Sequence, residues 1–152
     1  MNELHPGRIR WIILHTTAGR EDATVDDIRA AHKARGFADV GYHFLVWRDG
    51  TTAAGRPVHR VGAHAKGWNS RSLGIAMVGH HDHDEPTTEQ WRAAVDLVGA
   101  LAFTYAVPAD HVIGHRETYD RDGVPRRKTC PGALVDMDRF RTDVAAFLDG
   151  AA

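Results

Sequence analysis

The chain has 152 residues, 43% of them hydrophobic and 26% charged, which fits one compact globular domain and excludes disorder as the default. A net charge of −1 gives no electrostatic ground for nucleic acid or an anionic membrane as the main partner. The single cysteine, Cys130, rules out an internal disulfide, so folding requires no oxidising compartment.

The stretch from Met1 to Arg8 holds no apolar run of signal-peptide length, and no window approaches the ~20 apolar residues of a membrane helix. The expectation is synthesis in the cytoplasm, without membrane insertion. A target beyond the membrane then needs a separate means of release.

Trp11-Ile12-Ile13-Leu14 is a short apolar run that reads as a buried strand ending in the loop His15–Gly19. Thr24 can cap a helix from about Val25 to Arg35 with Gly36 as its stop and Val25, Ile28 and Ala31 on its apolar face. Val40–Trp47 is β-branched and aromatic. Asp49-Gly50 then separates it from Thr51–Ala54, a hairpin signal. Pro57–Asn69 reads as a long surface loop, Leu73–Val78 as a second buried strand, and His80–Pro86 as a polar connection.

Thr87 and Gln90 have capping-box spacing ahead of a helix with Trp91, Val95, Val98 and Leu101 on one face, ending near Tyr105 because Pro108 follows. His111–Gly114 reads as a short strand and Glu117–Thr129 as a long polar loop. Asp136 caps a last helix with Phe140, Val144 and Phe147 aligned. The order β-α-β-β-β-α-β-α predicts a mixed α/β fold, a central mixed sheet flanked by about three helices. No repeat or linker divides it, so residues 1–152 are expected to form one domain with its core at about 10–148.

Eleven histidines invite a search for ligands. His111 and His115 are four apart, which on a helix suits one metal. Val112-Ile113-Gly114 favours a strand instead, where four residues span ~13 Å. With zinc–nitrogen bonds of about 2.0–2.1 Å, one ion reaches at most one of them. His115, at the strand end, is preferred. His80-His81-Asp82-His83-Asp84-Glu85 is dense in ligand types, but such polar connections are usually just solvated. His15 directly follows a buried strand, which carries it to a sheet end where sites are commonly built. Cys130 lies beside Lys128 in Arg126-Arg127-Lys128-Thr129-Cys130-Pro131-Gly132. Two readings are open there, a nucleophilic thiol with a histidine base or a zinc thiolate.

Taken together the segments resemble the type 2 N-acetylmuramoyl-L-alanine amidases and peptidoglycan recognition proteins, most of all the short phage amidase-type lysozymes. The matching stretches are Ile13-Leu14-His15-Thr16, Asp39 to Val46, Arg48-Asp49-Gly50-Thr51, Ala54-Gly55-Arg56, Val61 to Asn69 and Ser72-Leu73-Gly74-Ile75. Gly114-His115-Arg116-Glu117 and Lys128-Thr129-Cys130-Pro131-Gly132 complete the set. Each piece is weak alone; their ordered combination is strong. The stretch Tyr119–Pro125 is longer than in the short phage enzymes.

The resemblance implies three zinc ligands, His15, His115 and Cys130, and two catalytic side chains, Tyr42 and Lys128. It implies hydrolysis of the amide between N-acetylmuramic acid and L-alanine in bacterial peptidoglycan. A short catalytic domain with no wall-binding module and no export signal is expected to be a phage or prophage endolysin, and toxin delivery by a secretion system fits equally well. Two imidazoles, one thiolate and an open fourth position form the catalytic rather than the structural zinc pattern. Lys128 is assigned to the oxyanion formed on attack, and Tyr42 to orienting the attacking water or relaying its proton. His64, Lys66 and Asn69 are expected in a wall of the substrate groove. Some phage lysozymes of the group also bind an RNA polymerase; no residue here supports carrying that over, and a monomer is expected. The competing functions are a recognition module that binds without cutting, a glycosidase using Glu117 and Asp120, and an interaction protein with a structural zinc.

Overall fold

Two six-residue strands, β1 (Trp11–Thr16) and β4 (Ser72–Met77), are buried almost throughout. Strands apolar on both faces must be covered on both faces, which is the condition for a parallel pair. The computed structural model, which describes residues 1–151, pairs them in parallel at the centre of a five-stranded sheet. The remaining strands are β2 (Phe44–Val46), β3 (Thr52–Ala54) and β5 (Val112–Gly114), and the order is β3-β2-β4-β1-β5. Only β3 is antiparallel, through the hairpin that turns at Asp49-Gly50.

The helices are α1 (Val25–Ala34), α2 (Thr88–Tyr105), α3 (His115–Asp122) and α4 (Met137–Ala151). The α2 and α4 helices cover one face of the sheet, where Val98, Ala102, Phe140 and Val144 pack on Ile12, Leu14, Leu73 and Ile75. On the other face Ile28 of α1 meets Leu45 and Ala76, and Ile13 meets Ala65, Trp68 and Ile113. None of these helices is long and apolar enough to cross a membrane.

Four expectations are corrected. Glu117–Thr129 is not all loop, because α3 occupies its first part; only His115 and Thr118 of that helix are buried, so it carries no apolar stripe to betray it. The chain from Val40 to His43 bends instead of extending β2, as Gly41 approaches Ala63 so closely that a Cβ would lie 2.2 Å from its carbonyl oxygen. In α1 the buried partner of Ile28 is His32, while Ala31 is exposed. Thr87 caps α2 by accepting from the Gln90 amide, but the Gln90 side chain does not return the bond. It is buried and donates to the carbonyls of Val46 and Val78, tying α2 to two strands.

Candidate metal centre

Strand parity and register place the first two donors. Side chains alternate along β1, so His15 shares the face of Ile13, opposite α2 and α4. Leu14 of β1 is level with Gly114 of β5, so the residues that follow them, His15 and His115, emerge side by side at the carboxyl ends of parallel strands. Open α/β sheets commonly build sites there. The third donor arrives on the loop before α4. Arg116 holds that loop by donating to the carbonyls of Thr129 (3.1 Å), Gly132 (2.7 Å) and Val135 (2.6 Å). Asp82 fastens its other side, accepting from the Thr129 hydroxyl and the Ala133 amide.

As a result one ligand atom each of His15, His115 and Cys130 lies within 4.8 Å of the others. Among the described residues this is the group of three or more such side chains close enough to share an ion. Cys130 Sγ stands 3.6 Å from His15 Nδ1. Tetrahedral zinc with bonds of about 2.0–2.3 Å sets a nitrogen and a sulfur ligand roughly 3.5 Å apart, so the donors fit that ion with little adjustment.

The protonation states also suit a metal. Burial holds His15 and His115 well below the usual imidazole range, His115 at about 4, with the Lys128 ammonium adding to both shifts. Both rings are therefore neutral with a lone pair to offer. Burial pushes the Cys130 thiol up to about 11, against the smaller opposing effects of the Thr16 amide, which donates to Sγ at 3.4 Å, and of Lys128. A free nucleophilic cysteine needs the opposite shift; a bound cation would ionise this one.

The donors face a cavity of about 1060 Å³. Tyr42 lines it with its ring 5.2 Å from that of His15, and desolvation, then the nearby Cys130, raises its phenol. Lys128 and Lys66 are exposed on the cavity's lining. His64 is buried directly behind His15, with its Nδ1 2.9 Å from His15 Nε2. Asn69 Oδ1 accepts from the amides of His64 and Ala65, fixing the start of that loop.

His111 is outside the site, stacked on Trp11. The dense segment disperses: His81 is buried against Thr16 and Gln90, Asp82 braces the Cys130 loop, His80 lines the cavity, and His83 is exposed and stacks on His80. The two carboxylates considered for a glycosidase are engaged elsewhere, Glu117 with Arg141 and Asp120 with Arg126. Sequence reasoning gave no role to Arg116 or Asp82, since a brace of this kind shows only when the backbone it holds is in place.

A further histidine on the same face makes a stability prediction. His43 is fully buried; it accepts from the Gly74 amide at Nδ1 and donates from Nε2 to the Arg60 carbonyl, so its ring is neutral. Burial lowers its pKa to about 4. The unfolded chain binds that proton near 6.5, the fold only near 4, so stability is full above 6.5 and falls as the pH drops toward 4. The shift corresponds to about 3 kcal/mol. Thermal unfolding across that window should show it, with a shallower slope in His43→Gln. Equal slopes would assign the acid loss to other groups.

Residues 5–133 match the family model described as N-acetylmuramoyl-L-alanine amidase. The chain is 50% identical over 138 residues to an endolysin of Enterobacteria phage K11, covering 81% of this chain and 85% of that one. It is 31% identical over 136 residues to peptidoglycan-recognition protein SC2 of Drosophila melanogaster, covering 84% and 70%. Among solved structures it superposes on N-acetylmuramoyl-L-alanine amidase LysC of Clostridium intestinale with a TM-score of 0.81 at 29% identity, covering 94% and 90%.

Proposed function

The chain belongs to the N-acetylmuramoyl-L-alanine amidase family and is an amidase of peptidoglycan; we propose that it is a zinc enzyme acting as a phage or prophage endolysin, with His15, His115 and Cys130 as ligands. The observation that carries this reading is the convergence of those three donors, two from strand ends and one from the loop before α4, on one side of the cavity.

When bound, zinc supplies a Lewis acid and makes water a competent nucleophile near neutral pH. The protein's own groups do the rest. The Tyr42 hydroxyl, whose proton is held more tightly than an ordinary phenol's, donates to the attacking water and orients it. Lys128 presents an ammonium to the oxyanion that forms at the former carbonyl. Lys66, exposed on the lining, would bind peptide carboxylates or carbonyls of the substrate.

The test is the release of free L-alanine amino groups from purified peptidoglycan, with chelator and then with added zinc. Cleavage lost to the chelator and restored by zinc is expected. Binding without cleavage in zinc-replete buffer would make the protein a recognition module, and new reducing ends would make it a glycosidase.

A further inference from the structure

We propose that a hydrogen-bond chain from the Trp68 carbonyl through Ser72 and His64 holds His15 in one tautomer, which makes His64 a positioning residue for the metal. The part that concerns the metal rests on the zinc reading; the tautomer does not.

The chain has three links. Ser72 Oγ lies 2.8 Å from the Trp68 carbonyl oxygen, His64 Nε2 3.3 Å from Ser72 Oγ, and His15 Nε2 2.9 Å from His64 Nδ1. Two oxygens at 2.8 Å have a proton between them. A carbonyl has none to give, so the Ser72 hydroxyl donates to Trp68. Its one proton is then spent, and Ser72 Oγ can only accept from His64. The proton of the neutral His64 ring therefore sits on Nε2, leaving Nδ1 bare. A bare His64 Nδ1 must accept from His15, so His15 carries its proton on Nε2. The remaining His15 nitrogen, Nδ1, keeps its lone pair, and it is the one 3.6 Å from Cys130 Sγ. The opposite tautomer would point an N–H at the metal position.

The His64 ring cannot easily turn out of this chain. A Cβ at Gly74 would lie 2.5 Å from His64 Cγ, and one at Gly62 would lie 2.6 Å from His64 Cδ2. The two glycines thus form a slot that only their missing side chains leave open. Beyond the slot, the His64 amide is tied to Asn69. A residue so enclosed is poorly placed to follow a substrate but well placed to fix its neighbour. Partners of metal-bound histidines typically contribute 10–100-fold in metal affinity.

The experiment uses the full chain. Nitrogen-15 spectra of the imidazoles in the metal-free protein should show His15 and His64 both protonated on Nε2. In His64→Leu the His15 signature should be lost, and zinc affinity, measured by chelator competition, should fall ~10–100-fold. His64→Asn, whose Oδ1 can take the place of Nδ1, should recover most of that affinity, which a merely space-filling role would not predict. If His64→Leu does not fold, Ser72→Ala gives the same reading from the far end: a mixed His15 tautomer and weaker zinc binding. A parent protein with the His15 proton on Nδ1 overturns the proposal, as do folded variants that bind zinc like the parent. A parent with the expected tautomer that takes up no zinc supports the chain of bonds and refutes the zinc reading instead.

Discussion

Replacing Cys130 with serine should lower zinc affinity more than ~100-fold, beyond the usual loss of an outer partner, and abolish amide cleavage with it. Of the three proposed ligands the thiol is the one that a cation would have to ionise, because burial holds it up at about 11. A serine hydroxyl at this position is shorter and far harder to ionise. The fold should survive, since Arg116 and Asp82 hold the loop through several bonds, against the single long one that the sulfur accepts from Thr16. Chelator competition and amino-group release check both halves. A Cys130→Ser protein that binds zinc like its parent would remove Cys130 from the ligand set. Parent activity that resists chelation but is blocked by alkylation would restore the nucleophilic cysteine.

Lys128→Ala should lower turnover by about 10²–10³, or ~2.7–4 kcal/mol, as for loss of an oxyanion donor, while zinc uptake stays at the parent level. The ammonium is exposed on the cavity lining, two residues from Cys130, and close enough to lower both His15 and His115 by its charge. That placement would let it meet negative charge developing next to the proposed ligands without being one. Lys128→Arg keeps the charge but changes its shape and reach, so partial activity is expected. The discriminating quantity is the split between kcat and KM. A raised KM with unchanged kcat would mean that Lys128 binds the substrate equally well before and during the reaction.

Where the sequence carried a strong local signal, the elements agree with it. The apolar runs around Ile13 and Ile75 are buried strands, and Thr24 and Thr87 both cap helices. The Asp49-Gly50 turn joins an antiparallel pair. The periodic faces of α2 and α4 bury Val95, Val98, Phe140 and Val144. The α3 helix was not legible, because a helix that buries only His115 and Thr118 has no periodic apolar face. Of the two histidines four apart, strand geometry favoured His115 at the end of its strand, and His115 stands in the cluster while His111 stacks on Trp11.

By itself, then, the sequence determined the strands, most helices, the hairpin and the identity of the ligand candidates, because these depend on local periodicity, turn chemistry and ordered motifs. Only the tertiary structure decided that His15 and His115 lie level, that Arg116 and Asp82 brace the Cys130 loop, and that His64 sits behind His15 in a slot between two glycines. Those features depend on the register of parallel strands and on the paths of backbones distant in sequence. A side chain's own neighbours along the chain carry no information about either.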